Sequence, residues 1–262
     1  MVDGRAMDRI PLTGPFKMSE ALRRTFKVVF SELRTLLPLV LLVHLPVLLL
    51  AAGLVVWLRD DPERYVEVQT IFSLLQFPVS MAAQTVAVGA VIPAVFARLR
   101  GQHVAPGEAL RHALRRLLPL LGLGISVGLA VWIGSMMCLA PGLIVLCATY
   151  VATPALMVEH TGVEASWRRS FQLTAGYRME VFGVVFVLGM VGGVFAFGAA
   201  FFDMGLVSGG PTLGTIAASQ ALTQVAALVA TLLTAVAATV TYHDLRVTKE
   251  GISEEDLLEV FA

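Results

Sequence analysis

The sequence predicts an all-α, polytopic membrane helix bundle with six transmembrane helices, organised as three repeats of a cytoplasmic interfacial helix followed by a transmembrane hairpin. Three observations predict it. First, of 262 residues 57% are hydrophobic and 15% are charged, with mean hydropathy +0.80, whereas a soluble domain carries about 25% charged residues. Second, the charges are confined to short segments between six long apolar runs. Third, a basic amphipathic segment recurs three times, at Ser19 to Leu37, Gly107 to Leu118 and Gly162 to Arg178.

Each basic segment has helical periodicity. Leu22, Phe26, Val29 and Leu33 lie opposite Arg23, Arg24, Lys27 and Arg34, and Leu110, Leu114 and Leu117 lie opposite Arg111, Arg115 and Arg116. In the third copy Val163, Trp167, Phe171 and Thr174 lie opposite Arg168, Arg169 and Gln172. Residues spaced three and four apart share one helix face, so all three read as helices lying in the membrane interface. Leu22-Arg23-Arg24-Thr25-Phe26 matches Trp167-Arg168-Arg169-Ser170-Phe171 in kind at four positions, and Leu110-Arg111-His112-Ala113-Leu114 follows more loosely. Such a parallel repeat suggests pseudo-threefold packing about the membrane normal.

Taken in order, residues 1–15 form a flexible, polar cytoplasmic N-terminus, 16–242 a single integral membrane domain with repeats about 16–98, 99–159 and 160–242, and 243–262 a cytoplasmic tail. Leu36 to Leu58 is an uncharged run long enough for a ~30 Å hydrocarbon core at ~1.5 Å per residue. Its Trp57 suits the headgroup boundary. A polar loop, Arg59 to Glu67, leads to a second span from Val68 to Phe96. Leu117 to Leu139 and Pro141 to Val158 make the next hairpin, turning at Ala140-Pro141-Gly142, with a re-entrant pair as the alternative to full crossing. Val181 to Phe202 and Thr212 to Tyr242 complete the third, separated by the loop DMGLVSGGP. Pro46, Pro78, Pro93 and Pro154 are expected to kink or break their helices, while Gly124 with Gly128 and Gly189 with Gly193 form small-xxx-small pairs that let helices approach. No apolar signal-peptide core precedes the first span, which is expected to act as its own insertion signal.

Orientation follows from the basic residues. Of the 19 Lys and Arg, 17 fall on one side of this topology and only Arg59 and Arg64 on the other. The positive-inside rule therefore places both termini and all three interfacial helices in the cytoplasm, with the chain in the inner membrane.

Candidate chemistry is sparse. His44 is the one formally ionisable side chain near mid-membrane depth, so a proton or ligand role stands beside that of a neutral imidazole hydrogen-bonded within the bundle. Gln69, Gln76 and Gln84 define an amide face for helix pairing or, with Gln220 and Gln224, a polar pathway. Glu159, Asp244 and Arg246 form a candidate cytoplasmic polar cluster, read as a structural end-cap or as a binding site. Arg23, Arg24, Arg111, Arg115, Arg116, Arg168 and Arg169 are candidate contacts to an anionic inner leaflet. No catalytic, cofactor or metal residue is expected: GxSxG, HExxH, CxxC and GxxxxGK[ST] are all missing. Cys138 and Cys147 are expected to be packing residues, and zero net charge gives no case for nucleic acid.

Pro154-Ala155-Leu156-Met157-Val158-Glu159, Arg168-Arg169-Ser170-Phe171-Gln172-Leu173-Thr174 and the closing Tyr242-His243-Asp244-Leu245-Arg246-Val247-Thr248-Lys249-Glu250-Gly251 resemble the membrane domain that precedes the catalytic domain of some bacterial glycerophosphodiester phosphodiesterases and also occurs alone. The resemblance implies a bacterial multi-pass membrane protein and lends no catalytic residue. No histidine is followed by the arginine with which that family's active site begins, and Glu254-x-Asp256 matches only a fragment of its acidic pair. The expectation is a non-enzymatic lipid-associated scaffold or partner-binding module, with a protein partner or second copy as further candidates. The alternative is a small transporter or channel for ions or small solutes.

Overall fold

A computed structural model describes residues 15–61, 64–99, 105–209 and 212–251. The expected flexible N-terminus, Pro15 apart, and the Glu254-x-Asp256 charge run lie outside these residues. Among the described residues helix is the one regular secondary structure, with short connections between elements: α1 (Met18–Trp57), α2 (Tyr65–Leu99), α3 (Pro106–Arg115), α4 (Leu117–Met137), α5 (Leu139–Thr149), α6 (Ala152–Val158), α7 (Val163–Thr174), α8 (Arg178–Gly209) and α9 (Leu213–Glu250). Six stretches are long and apolar enough to cross a membrane, with α5 and α6 together making one of them. This is the pattern of a multi-pass membrane protein.

Several boundaries differ from the sequence expectation. The first interfacial segment is not a separate helix but the N-terminal half of a 40-residue α1, in which Pro38 and Pro46 are accommodated without a break. Pro78 and Pro93 are likewise carried inside α2. A long helix can absorb such prolines when its neighbours or local groups satisfy the freed carbonyls. The tight turn falls at Cys138, whose extended backbone (φ −171°, ψ 154°) separates α4 from α5; Pro141 instead sits in the first turn of α5, where no intrahelical N–H bond is lost. Much of the expected DMGLVSGGP loop belongs to α8, which continues to Gly209. The expected tail begins as helix too, since α9 runs to Glu250 and stops at Gly251 in the left-handed conformation (φ 61°), the usual glycine C-cap.

The fourth span is broken at Tyr150 and Val151. Pro154 lies just past the break and lacks the N–H that would bond back to Tyr150. The interrupted ladder is rescued from outside, because the Ala148 carbonyl accepts from Ser170 Oγ at 2.7 Å and Thr174 Oγ1 at 3.3 Å, both on α7.

Packing is concentrated at the basic end. One apolar cluster joins Val28, Leu36 and Val40 of α1, Val91 and Phe96 of α2, Leu120 and Leu123 of α4, Leu156 of α6, Leu173 of α7, Val181 of α8, and Val236, Tyr242 and Leu245 of α9. At the opposite end a small cluster of Leu54, Leu58 and Ile216 holds α1 to α9, flanked by Val68 and Phe72 of α2. Between and around these, Leu42, Leu49, Leu74, Phe77, Met190 and Phe197 are exposed on the isolated chain, as side chains whose solvent is lipid would be. Close approach requires glycine at several positions, among them Gly89 and Gly134. A Cβ on Gly89 would stand 2.6 Å from Leu120 Cδ1, and one on Gly134 would stand 3.0 Å from the Gly142 backbone across the α4–α5 turn.

Candidate functional site

The three basic amphipathic segments share one burial pattern, in which small side chains beside the expected apolar face are the ones most deeply covered. In the first, Ala21 and Thr25 are fully buried; in the second, Ala109 and Ala113; in the third, Ser166 and Ser170. The larger apolar residues that follow each of them, Leu22 and Phe26, Leu110 and Leu114, Trp167 and Phe171, are half-buried or exposed. Small side chains let these helices sit close to the bundle, while Leu22, Phe26, Leu110 and Trp167 pack at its edge, partly buried against the core.

The two basic positions within each motif also divide consistently. Arg23, Arg111 and Arg168 are exposed in all three. The next residue turns inward each time. Arg24 Nη1 donates to Asp244 Oδ1 at 2.8 Å, with the Asp244 side chain only 5% exposed. Arg169 Nε donates to Glu159 Oε1 at 2.6 Å and its Nη2 reaches Glu250. Burial works against the Arg169 charge, but its hydrogen bonds to these two carboxylates outweigh it and hold the guanidinium protonated more firmly than usual. The third inward residue, His112, meets the His160 ring with centroids 5.4 Å apart.

Each inward residue or its neighbour contacts the second arm of the preceding hairpin. Arg24 of α1 pairs with α9, Ala113 of α3 lies against Gly89 of α2, and Arg169 of α7 pairs with Glu159 at the end of α6. The sequence of contacts closes into a ring, because the last hairpin meets the first amphipathic segment.

The expected polar cluster of Glu159, Asp244 and Arg246 is divided between two networks. Glu159 accepts from Arg169 and from Tyr242 Oη (2.7 Å), while Arg246 Nε donates to Glu250 (2.9 Å), which also takes Arg169. Asp244 serves Arg24 and lies 3.4 Å from His243 Nδ1. Lys249 Nζ reaches the Gln172 carbonyl, tying the end of α9 to α7. The roles of Tyr242 and Glu250 had no signal in charge patterning alone; they follow from the i, i+4 spacing of Tyr242, Arg246 and Glu250 on one face of α9.

Arg116 is internal as well, donating to the carbonyls of Leu156 (3.2 Å) and His160 (3.3 Å) at the C-terminal end of α6. A cation there offsets the negative end of the helix dipole. His160 follows in the left-handed region (φ 55°), a position that glycine normally takes. Burial first, then the neighbouring imidazole of His160 and the guanidiniums of Arg116 and Arg115, push the His112 pKa below its ordinary value; burial and Arg116 do the same to His160.

Of the seven expected anionic-leaflet contacts, Arg24, Arg116 and Arg169 are therefore committed inside the protein, and Arg168 pairs on the surface with Glu164 at 2.5 Å. Arg23, Arg111 and Arg115 are exposed. His44 is buried, with Nδ1 2.9 Å from the Val40 carbonyl of its own helix. Gln69 and Gln76 are half-buried and Gln84 is exposed, while Ala83, Val86 and Ala87 are buried on the protein-facing side of α2. Among the described residues no group of three or more His, Cys, Asp or Glu is placed to hold a metal ion. Cys147 is buried and Cys138 exposed, both unpaired.

Fold and site together define a multi-pass, all-helical membrane protein with a charge-networked end. Comparisons with protein families, with curated proteins and with solved structures find no match.

Proposed function

We propose that the chain is a non-enzymatic bacterial inner-membrane module that gathers anionic lipid at its cytoplasmic face, and that its three amphipathic segments are copies of one unit, each docked on the preceding hairpin. The observation that carries this reading is the shared division of each motif into an exposed arginine (Arg23, Arg111, Arg168) and an inward partner (Arg24, His112, Arg169). Arg23, Arg111 and Arg115 are open to phosphate headgroups, Arg168 reaches them by exchanging its exposed Glu164 partner, and the inward set holds the platform that presents them. The likeness to the membrane domain of glycerophosphodiester phosphodiesterases fits a lipid-facing role without supplying an activity.

The transporter reading has less support. The seam between α1, α2 and α9 is filled by Leu39, Val40, Ala87, Val91, Val236 and Val240, and Thr231 and Thr239 of α9 spend their hydroxyls on their own helix carbonyls.

The test is retention of lipid by the full chain. Purified from nanodiscs containing phosphatidylglycerol and phosphatidylcholine, the protein is expected to hold phosphatidylglycerol preferentially by native mass spectrometry. Each Lys or Arg near an anionic surface contributes ~1 kcal/mol. Combining Arg23→Gln, Arg111→Gln and Arg168→Gln should thus lower that preference on the order of 100-fold if all three engage together. Equal retention of both lipids by the unaltered chain would sink the proposal.

A further inference from the structure

We infer that the α4–α5 hairpin is a wedge seated in the acyl chains of a single leaflet, and does not cross the bilayer. The inference deepens the lipid-facing reading above and rests on its placement of α7 on the cytoplasmic side.

The starting point is where α7 sits along the hairpin. Trp167 Nε1 donates to Ser126 Oγ of α4 at 3.1 Å, and Ser170 Oγ to the Ala148 carbonyl of α5 at 2.7 Å. Val163 meets α4 at Gly122. The same short helix carries the Arg168–Glu164 pair, whose side chains are 75% and 79% exposed. It also touches the last turn of α9, at Lys249 and Glu250. An exposed ion pair cannot be left in hydrocarbon, so Ser126 and Ala148 lie at headgroup level or outside it. From Ser126 to the turn at Cys138 the chain rises only ~18 Å, and from Cys138 back to Ala148 ~15 Å, at ~1.5 Å per residue. The hydrocarbon core is ~30 Å thick.

Helix lengths give a second, independent measure. The other hairpins are built from α1, α2, α8 and α9, of 40, 35, 32 and 38 residues. In the middle hairpin α4 has 21 residues and α5 with α6 spans 20. With Leu22 aligned to Leu110, Pro38 takes the place of Ser126. Beyond Pro38, α1 continues for ~29 Å, a full crossing, whereas α4 continues beyond Ser126 for ~17 Å.

The tip has the surface such a wedge needs. Trp132, Ile133, Met136, Met137, Leu139 and Ile144 are all exposed. Nearer the base of the hairpin, Leu120 and Leu123 are covered by protein. The contact of Gly134 with Gly142 keeps the two arms narrow. The occupant of this tip surface is the acyl-chain region of the leaflet nearest α7.

Native Cys138, exposed at the turn, is the probe. The full chain carrying Cys147→Ala is reconstituted in vesicles and treated with a membrane-impermeant maleimide from either face. Asp60→Cys and Glu164→Cys, each without native cysteines, mark the two sides. Cys138 is expected to react from neither face, at least ten-fold more slowly than either marker. A nitroxide on Cys138 should collide freely with oxygen and poorly with a water-soluble nickel chelate.

Reaction of Cys138 from the Asp60 side at the marker's rate would mean a full crossing, and reaction from the Glu164 side a hairpin outside the bilayer; either overturns the wedge. So would poor collision with both oxygen and nickel, which would mean burial in protein. Should Glu164→Cys itself react from the same face as Asp60→Cys, the placement of α7 fails, a result separable from the behaviour of Cys138.

Discussion

Breaking the Arg24–Asp244 pair tests whether the ring of helices is closed by charge. The two atoms are 2.8 Å apart, with side chains 21% and 5% exposed. Removing one partner of a buried pair costs ~3–5 kcal/mol, mostly the penalty of the charge left behind. The exposures make the two halves unequal. Asp244→Asn strands a guanidinium that still reaches water or headgroups, so ~2 kcal/mol is expected, below the buried range. Arg24→Gln strands a carboxylate with only His243 at 3.4 Å nearby, and ~3–4 kcal/mol is expected. The double variant leaves no buried charge, so it should recover ~1.5–3 kcal/mol relative to the sum of the singles. Reversible unfolding in mixed detergent micelles gives all four corners of the cycle. Singles that each cost under ~0.5 kcal/mol and add within ~0.5 kcal/mol would refute the closure argument.

Three further outcomes are expected. Gly89→Ala must displace the buried Leu120, 2.6 Å from the new Cβ, at ~1–3 kcal/mol, whereas Gly193→Ala, with nothing within 4 Å, should not destabilise; the same unfolding assay separates them. Ser170→Val with Thr174→Val orphans the Ala148 carbonyl at the α5–α6 break and should cost ~2 kcal/mol, against under ~1 kcal/mol for Thr174→Val alone, because the Ser170 bond at 2.7 Å survives. His112 and His160 titrate below the ordinary imidazole value of 6.5, so the unfolded chain protonates first. Stability should be complete above pH 6.5, fall as pH drops below it, and level off beneath the folded-state pKa values. Thermal unfolding between pH 5 and 8 should show this slope, and His112→Gln should flatten it.

How far the letters alone could reach is clearest at the amphipathic segments. Their position and basic character were legible because charge and apolar residues alternate with helical period. Which of their side chains go deepest was not, since hydrophobicity ranks Leu22, Leu110 and Trp167 above the Ala21, Ala109 and Ser166 beside them, yet the small ones are covered completely and the large ones only in part. Lipid solvates a leucine as well as a protein core does, so large side chains gain little by turning inward, and small ones permit the close contact that dispersion rewards. The same reasoning accounts for Gln84, which yields the inner side of α2 to Ala83 and Ala87. The division of labour among the arginines was hidden for a different reason. Counting them fixes which end is basic, but Arg23 and Arg24 are adjacent letters with opposite duties, and only the carboxylate of Asp244, 220 positions away, distinguishes them. A long-range partner of that kind leaves no local trace. What does leave one is a recurring pattern: an exposed arginine followed by a more buried residue occurs at 23–24, 111–112 and 168–169, and on the proposed repeat a role found at one place can be sought at the others. On that logic His112 occupies the place of Arg24 and Arg169, and its partner is an imidazole where theirs are carboxylates. The middle segment thus meets the helix before it through Ala113 and Gly89, and what acid should loosen is its separate ring contact with the turn after α6.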